Sequence, residues 1–384
     1  MENKDTLKIN RLVLVGNGFD LAIGLKTSYS DFILWLKKKL IIEAFNNPSR
    51  DNNSLATLPG YLENDLYKIK IRSLPKSSWE DFLKSQEEKS HKEQNDDFQR
   101  FLTLHKKILI ISPRETFVSI IDKNIEVLGW VNIENIYYQC LKKAKGEDLK
   151  FVNNQLSLLK TFLKEYLSEE QEKLERSSNY LSPFRSPIVD KDIDFEEFNP
   201  DSQFAEGHLK LNRIQFVNFN YTNTVQKLVE SFSVKEKDQT NKIIPIHGGL
   251  DDSMIFGYGD EEDDGFSTLE KNGNNDYLEH VKSFRYLQDS NYYDLIRFIN
   301  SCPYQIIIYG HSCGLSDRTM LKELFENKNC LSIKPYYYER SEEKGENDYF
   351  DKVMEISRHF TNNGLMRKKV VNILKCKPMP KPRR

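Results

Sequence analysis

The run Leu12-Val13-Leu14-Val15 stops on Gly16-Asn17-Gly18, and a helical pattern follows through Leu36. Consecutive β-prone apolar residues without polar alternation fit a strand buried on both faces, as in parallel sheets covered by helices. A buried strand that ends on two glycines and restarts as a helix reads as a strand–turn–helix unit. Glycines let the backbone approach a phosphate, and a helix N-terminus points N–H donors at it. The full G-x-G-x-x-G fingerprint is missing, however, and Asp20 stands close to where a phosphate would lie.

Further strands are expected at Ile214–Phe219 ("IQFVNF"), Gln305–Tyr309 ("QIIIY"), Lys242–Ile246 and Cys330–Tyr338. The first two are short, apolar and followed at once by polar or glycine-bearing turns. Together with the opening unit they predict an α/β fold with a Rossmann-like parallel sheet.

A long region of different texture lies between the first two strands. Tyr61–Ile71, Gln99–Leu109 and Val152–Arg176 carry helical spacing, clearest at Leu156, Leu159, Phe162, Leu163 and Tyr166. We therefore expect residues 1–40 and 206–384 to form the nucleotide-binding domain, and residues 41–205 a large helical insertion. Asn46–Ser54 and Glu88–Asp97 read as loops, and Ser177–Gly207, with its prolines, as a connector. The acidic stretch Gly257–Asp276 reads as a mobile loop; its spacing is not that of a calcium-binding EF-hand, so no metal is expected there.

Composition excludes several classes. Formal net charge is −2 with both signs interspersed, which gives no footprint for a nucleic-acid partner beyond the short basic tail Lys375–Arg384. No apolar run reaches the roughly 18 residues needed to cross a bilayer, and the polar start MENKDTLKIN is no secretory signal. The expected location is cytoplasmic, with no membrane contact. The five cysteines form no Cys-x-x-Cys pair, which argues against a zinc site or a disulfide framework.

Four short motifs follow apolar stretches: "GNGFD" (Gly16–Asp20), "NFNYTN" (Asn218–Asn223), "IHGG" (Ile246–Gly249) and "YGHSCGLSD" (Tyr309–Asp317). Singly, each has a bland reading: a tight turn, a helix cap, a satisfied structural histidine. Gly310-His311-Ser312-Cys313-Gly314 also fits the Gly-x-Ser-x-Gly nucleophile elbow, for which His359 is the late histidine available. Together, all four can sit at the carboxyl edge of one parallel sheet, where open α/β folds bind ligands.

The opening segment "LVLVGNGFDLAIGLKTSYSDF" resembles the AbiH family, bacterial proteins linked to abortive infection by phage. "GWVNIENIYY", "FVNFNYTNT", "PIHGG", "IFGYGDEEDD" and "IIIYGHSCGLSD" carry the likeness to about residue 340. The family pattern has Asp where Asn132 stands. The order of motifs is also distantly similar to the sirtuin-like NAD-binding fold. That resemblance implies Gly16 and Gly18 at the pyrophosphate, Asn220 at the nicotinamide ribose, His247 on the ribose hydroxyls, and Gly310 with Ser312 along the adenosine. Asn17, Phe19, Tyr221 and Asp317 flank these positions and complete the expected binding set. The sirtuin cysteine module is absent, and Thr222 stands where an Asp is usual. Zinc-free sirtuin-like domains in prokaryotic defence imply NAD hydrolysis, with NAD as substrate and no further cofactor.

Such cleavage passes through an oxocarbenium-like state and releases neutral nicotinamide, so it needs a placed water and an orienting group more than a general acid. The expected catalytic set is Asn220 for the water or the ribose, His247 as base or hydroxyl partner, and Asp20 as a ribose contact or as the cap of the first helix. An active NADase would kill its host, so an off state, a phage-derived trigger and a homo-oligomer are expected. A non-catalytic nucleotide sensor, a serine hydrolase and a metal-dependent nuclease are the rival readings. Lys37–Lys39, near the usual position of a ribose reader, is the sole hint on NAD against NADP.

Overall fold

The computed structural model describes residues 7–50, 57–87, 89, 91–125, 129–174, 184, 186–194, 209–233, 242–251, 253–259, 261–263, 265–341 and 344–381. Most of the connector Ser177–Gly207, the segment Asp51–Ser54 and the last three residues of the basic tail lie outside the described residues.

Five parallel strands form the central sheet: β1 (Leu7–Val15), β2 (Leu209–Asn218), β3 (Lys242–Pro245), β4 (Tyr304–Tyr309) and β5 (Cys330–Pro335). Their order across the sheet is β3-β2-β1-β4-β5, the doubly wound order, which reverses direction between β1 and β4. Val13 sits at the centre, opposite Phe216 on one side and Ile307 on the other.

Two-residue periodicity distributes the side chains of β1. Leu12 and Leu14 join Ile306, Ile308 and Ile333 in one core, packed against Leu295 and Ile299 of the helix Asn291–Ser301 and Leu321 and Leu324 of the helix Arg318–Glu326. Val13 and Val15 face the other way, toward Phe19, Phe216, Tyr309 and Val225, Leu228 and Val229 of the helix Thr224–Ser233. Both faces are covered, so the strands read as unbroken apolar runs. At about 1.5–3 kcal/mol for each buried aliphatic side chain, these two cores dominate the favourable side of folding.

The chain divides into two compact units, Met1–Thr27 with Leu167–Arg384, and Ser28–Tyr166. The second unit holds an antiparallel sheet, Gly60–Glu63 with Tyr67–Ile71 and Leu109–Pro113, where a helix over Tyr61–Ile71 was expected. Both periods are present there: Leu62, Leu66 and Ile69 fit a helix stripe, whereas Tyr67, Ile69 and Ile71 are buried in strict alternation with Lys68 and Lys70. Asn64 decides between them. Its side-chain oxygen accepts from the backbone N–H of Leu66 and of Tyr67, both at 2.9 Å, and closes a turn.

The expected loop Glu88–Asp97 is largely helix, since a helix runs His91–His105. Its first buried apolar side chain is Phe98, so no periodic signal precedes it. Helices Tyr29–Phe45, Trp130–Lys143 and Glu147–Glu172 bring Tyr29, Phe32, Trp35, Trp130 and Tyr166 into one aromatic cluster. Asn132 accepts from the Gly129 N–H at 3.0 Å, a cap that the amide oxygen supplies as a carboxylate would.

The acidic stretch Gly257–Asp276 carries a short helix, Phe266–Lys271, and its Tyr258 and Phe266 are buried. Among the described residues no helix is long and apolar enough to cross a membrane.

Candidate functional site

The four motifs converge at the carboxyl edge of the sheet, and hydrogen bonds show how. The turn after β1 meets the turn after β4 directly: the Gly18 N–H donates to the Gly310 carbonyl at 2.9 Å, and the Gly16 N–H to the Tyr309 carbonyl at 3.2 Å. A Cβ on Gly16 would lie 2.5 Å from the His311 Cα, and one on Gly18 would lie 2.9 Å from the Gly310 Cα. The two glycines of the first motif are therefore required by backbone packing across the reversal point of the sheet. A phosphate is not needed to explain them.

The second motif is tied to the first. The Asn220 amide donates to the Gly16 carbonyl at 3.1 Å, and the Asn220 N–H to the Asn218 side chain at 3.1 Å. Asp20 accepts from both Thr222 and Thr224 hydroxyls at 2.6 Å. The helix Asn17–Ala22 is capped by Gly16 with no side-chain bond, so Asp20 lies inside the helix and is not its cap. Burial pushes the Asp20 carboxyl up to about 6, and bonds from Thr222, Thr224 and Asn220 offset part of that rise.

A titration prediction follows from Asp20. Its folded value lies above that of an unfolded aspartate, so between about pH 4 and 6 the folded state binds more protons. Its contribution to stability is therefore present at low pH and is lost as pH rises through about 6. The difference in urea-unfolding free energy between wild type and Asp20→Asn should drift across that window and level off above it. A flat difference from pH 4 to 7 would refute the assignment.

The third and fourth motifs form a buried charged cluster. His247 places Nδ1 at 3.2 Å from the Phe219 carbonyl and Nε2 at 3.0 Å from Asp317 Oδ1. Lys282 Nζ donates to the same Oδ1, also at 3.0 Å. His311 Nε2 is 3.6 Å from Asp317 Oδ2, while its Nδ1 accepts from the Cys313 N–H at 3.0 Å. The Tyr286 hydroxyl lies 3.4 Å from His247 Nε2. Burial opposes ionisation of Asp317, but Lys282 and His247 outweigh it and hold the carboxyl well below the usual carboxylate range. Burial lowers His311, with its hydrogen bond to Asp317 acting against that. Both nitrogens of His247 are thus engaged with oxygens of the protein.

The remaining expected residues lie around this cluster. Phe19 is buried under the sheet, against Tyr309 at 5.6 Å between ring centres. Tyr221 is half-buried, its hydroxyl donating to the Ile255 carbonyl at 3.0 Å. Asn17 and Gly310 are half-buried, and Ser312 is exposed. His359 does not pair with Ser312: its Nε2 meets the Cys313 carbonyl at 2.7 Å. Besides Gly310, it is Cys313 and not Ser312 that has a positive φ in this turn, 56°, and burial pushes the Cys313 thiol up to about 12. The elbow reading therefore lacks its base, since His359 is engaged with a backbone carbonyl.

Sequence reasoning did not find Lys282, His311, Tyr286, Thr222 or Thr224 as members of this network. His311 and the two threonines lie within motifs that were noticed. Lys282 and Tyr286 sit in "HVKSFRYL", which carries no glycine or turn signal.

Residues 12–338 match the family model described as bacteriophage abortive infection AbiH. No curated protein and no solved structure is matched.

Proposed function

We propose, since this chain belongs to the AbiH family of bacteriophage abortive-infection proteins, that it ends infection by hydrolysing NAD at the carboxyl edge of its parallel sheet. The supporting observation is the His247–Asp317 pair, set where loops from β1, β2, β3 and β4 converge. A histidine oriented by a buried carboxylate can steer a ribose hydroxyl or accept a proton from water. Asn17, Tyr221 and Ser312 offer polar or aromatic groups at the accessible rim. No metal or further cofactor enters this reading, and the trigger is a phage component acting on an inactive resting form.

A second reading, a nucleotide sensor without turnover, has its own support. The Gly18 N–H, the Asn220 amide and both His247 nitrogens are engaged within the protein, which favours a rigid recognition surface over a reactive one.

The deciding experiment follows cellular NAD and nicotinamide in infected cells expressing the wild type, Asn220→Ala or His247→Ala. Hydrolysis predicts NAD collapse with the wild type only. Protection with steady NAD would discard hydrolysis and leave the sensor.

A further inference from the structure

Lys282 is 1% exposed and Asp317 5%, so their ion pair is shut off from water. Lys282 comes from a different part of the chain than the motifs. The segment Gly257–Gly259 lies between two neighbours: the Tyr258 N–H donates to the His280 carbonyl at 3.1 Å, and the Lys282 N–H to the Tyr258 carbonyl at 2.8 Å. On the other side, a Cβ on Gly259 would lie 2.6 Å from the Ser316 carbonyl oxygen, and the Thr319 hydroxyl donates to the Gly259 carbonyl at 3.1 Å. The backbone that delivers Lys282 is thus fixed against the backbone that carries Asp317. One turn later the same segment sets Tyr286 beside His247, the two rings nearly parallel at 5°.

We propose that Lys282 is a positioning residue: its ammonium holds Asp317 in place, so that the shared oxygen Oδ1 orients the His247 ring. The proposal rests on reading His247–Asp317 as the working pair. The groups facing Asp317 are Lys282, His247 and His311, with Tyr286 facing the ring of His247. Removing the ammonium leaves two imidazoles to balance a buried carboxylate. The carboxyl then takes up its proton at a higher pH, and its hold on the ring is lost there. The lysine touches no reacting atom in this scheme and acts through Asp317.

The test compares Lys282→Met, Lys282→Arg, Asp317→Asn and the double variant Lys282→Met/Asp317→Asn. NAD consumption in infected cells should fall about 100-fold in Lys282→Met, the scale for a misplaced catalytic group. Lys282→Arg, which keeps the charge, should recover part of it. The double variant should be no worse than Asp317→Asn, since the two residues act as one unit. Thermal melting of the purified proteins against pH supplies a readout independent of NAD. The acid-side loss of stability that the lowered Asp317 carboxyl gives the wild type below about pH 4 should be smaller in Lys282→Met and retained in Lys282→Arg. Coincident melting profiles for Lys282→Met and wild type would overturn the proposal, whatever happens to NAD. A shifted profile with no NAD consumed even by the wild type would support the positioning role and discard hydrolysis. If Lys282→Met does not fold, Lys282→Gln takes its place, and an unmoved acid limb there overturns the proposal.

Discussion

Replacing Asp317 by Ala should cost about 3–5 kcal/mol of folding stability, the range for a buried ion pair that loses one partner, and should end phage protection. The carboxylate accepts from Lys282 and His247 at 3.0 Å each, with His311 at 3.6 Å. Alanine removes the carboxylate from the buried Lys282 ammonium and takes one of the two oxygens away from the His247 ring. Asp317→Asn separates the two effects. It keeps an acceptor oxygen of similar shape while removing the charge, so it should be less destabilising and still inactive. Urea unfolding at pH 7 measures the first quantity, and plating efficiency of phage on expressing cells the second. An Asp317→Ala protein within about 1 kcal/mol of wild type, a scale typical of ordinary substitutions, would mean that the pair does not hold this edge of the sheet.

The sheet was legible because its strands are buried on both faces. Every central strand falls on a stretch read as a strand from the sequence, although β1 and β2 start several residues earlier than those stretches do, at Leu7 and Leu209. Apart from the buried Ile9, the apolar residues of those early segments are half-buried, and Lys8, Asn10, Lys210 and Asn212 interrupt them. The motif loops were legible as a group for the same reason: each directly follows a strand end. What the individual residues do was less so. Asp20 gave no sign of which groups it bonds, because Thr222 and Thr224 lie 202 and 204 residues away. Lys282 was invisible for a related reason. A lysine in a mixed-charge segment ordinarily reads as solvated surface, and only the pairing of Gly257–Gly259 with His280–Lys282 buries it. The antiparallel strands of the second unit were misread where helix and strand periods coexist and a single Asn sets the outcome.

The glycine at the end of β4 offers the sharpest test of what the first motif is for. Gly310 has φ 77°, and a Cβ there would lie 2.2 Å from the Phe19 nitrogen and 2.7 Å from the Gly18 carbonyl carbon. Gly310→Ala therefore meets two costs, about 1–2 kcal/mol for a left-handed backbone and a further 1–3 kcal/mol or so for overpacking against backbone that cannot rotate away. Gly345 supplies the comparison. It also has a positive φ, 64°, but nothing lies within 4 Å of its would-be Cβ, so Gly345→Ala should show the first cost alone. Chemical denaturation of both variants should place Gly310→Ala well below Gly345→Ala. Equal losses would show that the close approach of the two turns relaxes easily. In that case the glycines of "GNGFD" are not there for packing, and admission of a phosphate becomes the better account of them. A large gap would make the contact between Gly18 and Gly310 part of the folded frame. Any nucleotide bound at this edge must then do without the Gly18 N–H, which the Gly310 carbonyl already holds.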